Sequence, residues 1–131
     1  MSVERRRHVL VVDDNATNLS LVSDTLEYAG FEVARAMCAR HAMSLLELEL
    51  PDLILIDIAL PGVDGLTFTR QLKAHPLYHR IPVVALTAYA MKGDDQKAYA
   101  AGCQGYITKP IDTRRLVAEI APHLGDGGSS P

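Results

Sequence analysis

The chain has no tryptophan, two phenylalanines and five tyrosines in 131 residues, so its core has to be built from aliphatic side chains. Cysteine is scarce too. Cys38 and Cys103 stand far apart, without metal-ligand spacing or a secretory signal. That excludes a disulfide framework and fits free thiols in a reducing cytoplasm. There is no excess of positive charge. Thirteen Lys and Arg face sixteen Asp and Glu, for a net charge of −3, which leaves no field for nucleic acid. The one basic run, Arg5-Arg6-Arg7, resembles the charged start of a signal peptide, but the apolar stretch behind it ends at Val12 before two acids. That is too short for a secretory segment. No apolar run approaches membrane-spanning length. The five histidines are scattered. His75 and His79 share helical spacing, but Pro76 between them reads as loop, not as a metal pair. Repeats and heptads are absent. What remains, at 48% hydrophobic residues, is a single folded domain.

That domain alternates short apolar runs with helical patterns. Strands are expected near 8–12, 32–36, 53–57, 82–86 and 104–107. Alternation of this kind implies βαβ units, a parallel sheet and right-handed crossovers. The first helix should start at the cap Asn15, end at Gly30, and bury Leu19, Val22, Leu26 and Ala29. The second, 39–49, should bury Ala42, Leu45 and Leu46 before Pro51. The third follows the cap Asp64 and buries Leu66, Phe68 or Thr69, and Leu72. The fourth, 91–101, has a thin stripe of Met91, Ala98 and Ala101, is weakened by Gly93, and closes at Gly102. The fifth follows Asp112, buries Leu116, Ile120 and Leu124, and should end or kink at Pro122.

The strand ends carry the chemistry. His8-Val9-Leu10-Val11-Val12 runs into Asp13 and Asp14, and Leu53-Ile54-Leu55-Ile56 runs into Asp57. In an open α/β sheet the ligand crevice lies outside the carboxyl ends of the strands. If the two strands are neighbours, three carboxylates converge there. Two carboxylates about 4 Å apart repel by roughly 4 kcal/mol at an effective dielectric near 20. Such a group requires a compensating cation, a proton or a lysine, and hard oxygen ligands argue for Mg2+. Two further runs end in Thr87 and in Lys109-Pro110.

The stretches Val12-Asp13-Asp14-Asn15, Asp57-Ile58-Ala59-Leu60-Pro61-Gly62-Val63-Asp64-Gly65, Leu86-Thr87-Ala88 and Tyr106-Ile107-Thr108-Lys109-Pro110 together resemble the receiver domain of bacterial response regulators. This is the phospho-acceptor half of two-component signalling, and the resemblance spans residues 8 to about 124. It implies a flavodoxin-like, doubly wound sheet of five parallel strands in the order 2-1-3-4-5, with five helices. It implies Asp57 as phosphoryl acceptor and Mg2+ held by Asp13, Asp14, Asp57 and the carbonyl of Ala59. Thr87 and Lys109 would bind phosphoryl oxygens, and the small Ala88 would leave room for the donor. Tyr106 would turn inward with Thr87 in the switched state, and Pro110 would follow a cis peptide bond that aims Lys109. The segment Thr87 to Asp94 is similar to stand-alone receivers of the DivK type and to receivers fused to hybrid histidine kinases. Ala59 and Tyr89, two residues past the acceptor and the threonine, suggest a long-lived phosphoryl state.

The expected organisation is an N-terminal tail, 1–7, a receiver domain, 8–124, and a disordered tail, 125–131, with no output domain. The expected function is phosphoryl acceptance from a histidine kinase or histidine phosphotransfer protein, followed by contacts with a downstream protein partner. No DNA, no membrane insertion and no turnover of separate substrates are expected, and the setting is the cytoplasm. A Mg2+-dependent phosphatase of the haloacid dehalogenase type is the main alternative. It would place a second acid where Ala59 stands. A flavodoxin-like cofactor binder would need a phosphate loop where Asp13 and Asp14 repel phosphate. A degenerate receiver would lack one of Asp13, Asp14, Asp57, Thr87 and Lys109, and all five are present.

Overall fold

The computed structural model describes residues 7–60, 62–87 and 94–124. Strands and helices alternate as β1 (His8–Val12), α1 (Ala16–Tyr28), β2 (Glu32–Ala36), α2 (Ala39–Leu48), β3 (Leu53–Asp57), α3 (Gly65–Lys73), β4 (Val83–Thr87), α4 (Asp94–Ala101), β5 (Gly105–Thr108) and α5 (Thr113–Ile120). The strands form one parallel sheet in the order β2-β1-β3-β4-β5. This is the doubly wound fold expected from the sequence. β4 and β5 each begin and end one residue later than their apolar runs suggested.

The central strands β1, β3 and β4 are buried along their whole length. A strand covered on both faces reads as continuous apolar sequence, which is why these three were the clearest in the chain. Their side chains alternate between two cores. Leu10, Val12, Ile54, Ile56, Val83 and Ala85 pack with Phe68 and Leu72 of α3, Leu46 of α2 and Ala98 of α4. Val9, Val11, Leu53, Leu55, Val84 and Leu86 pack with Leu19, Val22 and Leu26 of α1 and Leu116 and Ile120 of α5. Truncating a fully buried side chain such as Phe68 to alanine costs about 3–5 kcal/mol.

Local signals set the helix ends. Asn15, Asp64 and Asp112 accept hydrogen bonds from the backbone N–H of Asn18, Thr67 and Arg114. Gly30 and Gly102 turn the chain after α1 and α4 at φ 103° and 110°, the left-handed region that glycine enters freely. α5 stops at Ile120, and Pro122 sits in a 3-10 turn, Ala121–His123. Three packing expectations need correction. Ala29 is exposed because α1 has ended at Tyr28, and the inward position falls instead on Ser23. Leu45 and Leu66 flank the buried stripes and are only partly covered. Phe68 and Thr69 are both fully buried, since the Thr69 hydroxyl is satisfied internally by the Gly65 carbonyl at 2.8 Å. Met91, Gly93, residues 1–6 of the N-terminal tail with Arg5 and Arg6 of the basic run, and the C-terminal tail 125–131 lie outside the described residues.

Candidate phosphoryl-acceptor site

Strand order reverses between β1 and β3, so the carboxyl ends of these neighbours frame the crevice of the sheet. Asp13 leaves β1 with its N–H bonded to the Ala36 carbonyl at 3.0 Å. Its side chain has no solvent exposure, and Oδ1 accepts the Asn15 N–H at 2.9 Å. Asp57 is the last residue of β3 and is buried, with Oδ1 accepting the Ala59 N–H at 2.9 Å. Asp14 is exposed at the rim. The three carboxylates each offer an oxygen within 4.8 Å of the others.

Lys109 reaches this group from the far side of the sheet. Its backbone N–H bonds to the Thr87 carbonyl at 2.6 Å, which ties the end of β5 to the end of β4. Its Nζ stands 3.0 Å from Asp57 Oδ2 and 3.0 Å from Asp13 Oδ2. The contact with Asp57 is a directed hydrogen bond. The contact with Asp13 is an ion pair without such direction, and Asp13 Oδ2 is a buried oxygen that receives no hydrogen bond. The Lys109–Pro110 peptide bond is cis. Thr87 closes β4 and is buried, one residue beyond Leu86, the register partner of Asp57. Tyr106 projects outward, its ring edge-to-face with Tyr99 at 6.2 Å between centroids.

The electrostatics show an excess of negative charge. Burial, foremost, raises the Asp13 carboxyl above its ordinary pKa, and the nearby Asp57 acts in the same direction. The Asn15 amide and Lys109 pull it down without cancelling that rise. Burial also works against the Lys109 ammonium, but its close contacts with the Asp57 and Asp13 carboxylates outweigh it and raise its pKa. One ammonium therefore does not neutralise three carboxylates. Hard oxygen donors in excess, one of them buried without a hydrogen bond, fit a divalent cation.

The glycines after Asp57 play different parts. Gly62 has φ 75° and makes the turn. Gly65, without positive φ, starts α3 with its Cα against the Asp57 carbonyl, where a Cβ would overlap that oxygen. Close packing, not conformational freedom, requires glycine here, and composition alone carried no signal for it. Its N–H bonds to the Ile58 carbonyl at 2.9 Å and fixes the loop. Ala88, Tyr89 and Pro61 lie outside the described residues.

A parallel α/β sheet with an acidic crevice at its switch point, crossed by one lysine, defines a class of cation- and phosphate-handling domains. The comparisons narrow that class. The family model for the response regulator receiver domain matches residues 9–121. The Brucella ovis polar-differentiation response regulator DivK is 42% identical over 120 residues, covering 92% of this chain and 98% of that protein. A Chloroflexus aurantiacus structure described as a response regulator superposes with a TM-score of 0.87 at 32% identity, covering 92% of this chain and 98% of that one. The receiver domain of sensor histidine kinase PA1611 from Pseudomonas aeruginosa, with magnesium in its active-site cleft, gives 0.83 at 30% identity, covering 92% and 99%. The chain belongs to the response regulator receiver family, whose members take up a phosphoryl group in two-component signalling. Nothing in these likenesses supports the phosphatase alternative, and Ala59 offers no second acid.

Proposed function

We propose that Asp57 is the phosphoryl acceptor of this receiver and that the chain works as a phosphorylation-controlled binding module, not as an enzyme on separate substrates. The observation that carries this reading is the Lys109 ammonium lying between Asp57 Oδ2 and Asp13 Oδ2. Asp57 Oδ2 attacks phosphorus of a phosphohistidine donor. A P–O bond forms, the P–N bond breaks, and the imidazole leaves with the electron pair and takes up a proton. Oδ1 stays on the Ala59 amide, so the carboxylate is held in one orientation during attack. Lys109, already at Oδ2, exchanges its carboxylate contact for a phosphoryl oxygen. The Thr87 hydroxyl takes another phosphoryl oxygen, and Ala88 leaves space for the donor. Asp13, Asp14, Asp57 and the Ala59 carbonyl would hold Mg2+, which neutralises the charge of the transferring phosphoryl group when bound. The magnesium in the PA1611 receiver supports this assignment.

The donor is a histidine kinase or histidine phosphotransfer protein in the cytoplasm, and no described helix is long and apolar enough to cross a membrane. Output passes to a protein partner through α4, β5 and α5, where Tyr99, Tyr106, Arg114 and Arg115 are exposed. Lys92, expected on the same face, lies outside the described residues. Incubation with acetyl phosphate, followed by intact mass, tests the reading. We expect one phosphoryl adduct that requires Mg2+ and disappears in Asp57→Asn. An adduct that persists in that variant refutes it.

A further inference from the structure

The strands begin at the opposite end of the sheet, roughly 16 Å from the acceptor by the rise of a five-residue strand. There His8 of β1 pairs in register with Glu32 of β2. A cleft of about 470 Å³ opens beside them, walled by Glu27, Glu32, Glu49 and Phe31. Glu27 is already matched by Arg35 at 2.9 Å. Glu32 and Glu49 are exposed. His8 lines the cleft at only 8% exposure, and its Nδ1 is sealed from solvent without a hydrogen bond. Glu49 Oε2 stands 4.0 Å from it, beyond hydrogen-bond reach. The His8 backbone is pinned on both sides by Asp52, at 2.8 Å and 2.7 Å, so the strand cannot shift to find Nδ1 a partner. A buried polar atom left unpaired is costly and uncommon.

Glu49 also borders a second groove, with Leu48, Leu50 and Leu77 on its walls. Three of the nine exposed large hydrophobics among the described residues meet there, with Leu48 at 82% and Leu77 at 66% exposure. A merged acidic and apolar surface of this kind marks a protein contact more than ordinary solvated surface.

We infer that this end of the domain docks a basic, apolar-flanked segment of another protein, one arginine entering the cleft at His8, Glu32 and Glu49 and an apolar neighbour lying on Leu48, Leu50 and Leu77. A guanidinium fits the donor-poor cleft, because one N–H serves the Glu49 carboxylate and, once that exposed side chain moves aside from His8, another reaches Nδ1 as acceptor. A coordinated metal does not. Among the described residues only Asp13, Asp14 and Asp57 bring three donor atoms within 4.8 Å.

The test titrates the labelled full chain with a synthetic peptide of alternating arginine and leucine, read by amide chemical shifts. A matched peptide carrying citrulline, the neutral isostere, is the control. Saturable shifts should centre on His8, Glu32, Glu49 and Leu77. Affinity should fall about tenfold with the citrulline peptide and with Glu49→Gln, and a few-fold with Leu77→Ser. Both substituted side chains are exposed, so the spectrum of each variant should otherwise keep its dispersion. Shifts confined to the Asp13 and Asp57 pocket, equal affinity for citrulline, or no effect of Glu49→Gln would each overturn the inference. Serine at Arg5, Arg6 and Arg7 should leave the affinity unchanged. A gain of about tenfold would instead assign the cleft to the chain's own arginines. Sedimentation should show no self-association that Glu49→Gln abolishes. Such self-association would assign the surface to a second copy and overturn the proposal.

Discussion

Replacing Asp13 with asparagine should stabilise the metal-free protein while destroying its response to Mg2+. Asp57 and Asp14 each place an oxygen within 4.8 Å of an Asp13 oxygen. At an effective dielectric near 20, each repels an ionised Asp13 by about 3.5 kcal/mol. Lys109 at 3.0 Å attracts it by about 5.5 kcal/mol on the same scale. Asp14 is exposed, and solvent screening cuts its share, so repulsion and attraction nearly cancel. Burial then decides. Asp13 has no exposed surface, and desolvation of a carboxylate costs several kcal/mol. Asparagine keeps an oxygen for the Asn15 amide and carries no charge. After the loss of the Lys109 contact, the net gain should be about 1–2 kcal/mol, a Tm rise of roughly 3–10 °C for a domain of this size. The pH dependence has a definite sign. The folded-state pKa of Asp13 is raised above 3.8, so the penalty of ionising it is absent in acid and complete above the folded pKa. Urea and thermal melts in EDTA should show the gap between variant and parent widest at neutral pH and closing as pH falls through that pKa. Added Mg2+ should stabilise the parent and leave the variant unmoved. A variant less stable than the parent at pH 7 in EDTA, or a gap that widens toward acid, refutes the reasoning.

Lys109→Ala should lower metal-free stability by about 1–3 kcal/mol, because Asp13 and Asp57 lose their shared cation. Melts with and without Mg2+ should show most of that loss recovered by the metal, while phosphorylation-dependent partner binding is lost. Asp14→Ala should weaken Mg2+ at least tenfold with little change in melting, since the side chain is exposed; calorimetric titration reads the affinity and a thermal scan the melting. Gly65→Ala should destabilise by about 1–3 kcal/mol and slow phosphoryl uptake, because its Cβ would meet the backbone that carries Asp57. Beryllofluoride should shift amides across α4, β5 and α5 as well as the pocket, and perturbation confined to the pocket would contradict the output face.

The strand ends were legible because covered strands leave long apolar runs, and an acid that breaks such a run marks where the sheet opens. Asp13, Asp57 and Thr87 were placed in this way, and the capping side chains Asn15, Asp64 and Asp112 marked helix starts just as locally. Other features depend on contacts that no local pattern encodes. Ser23 is fully buried on a polar-looking position of α1. Gly65 is required by the approach of α3 to the Asp57 carbonyl. The unpaired His8 Nδ1 reads in sequence as nothing more than the first residue of a strand. That Lys109 touches Asp13 as well as Asp57 follows from the neighbouring places of β1 and β3, which periodicity alone leaves open.

Asp57 is the residue we propose to be phosphorylated. Acetyl phosphate labelling in Mg2+, reductive trapping of the acyl phosphate with borohydride, and peptide mass spectrometry locate the modified side chain directly. A single modified site at Asp57, lost on addition of EDTA before labelling, is the predicted result. Modification at Asp13 or Asp14, or steady turnover of phosphate esters without a trapped acyl phosphate, would contradict it.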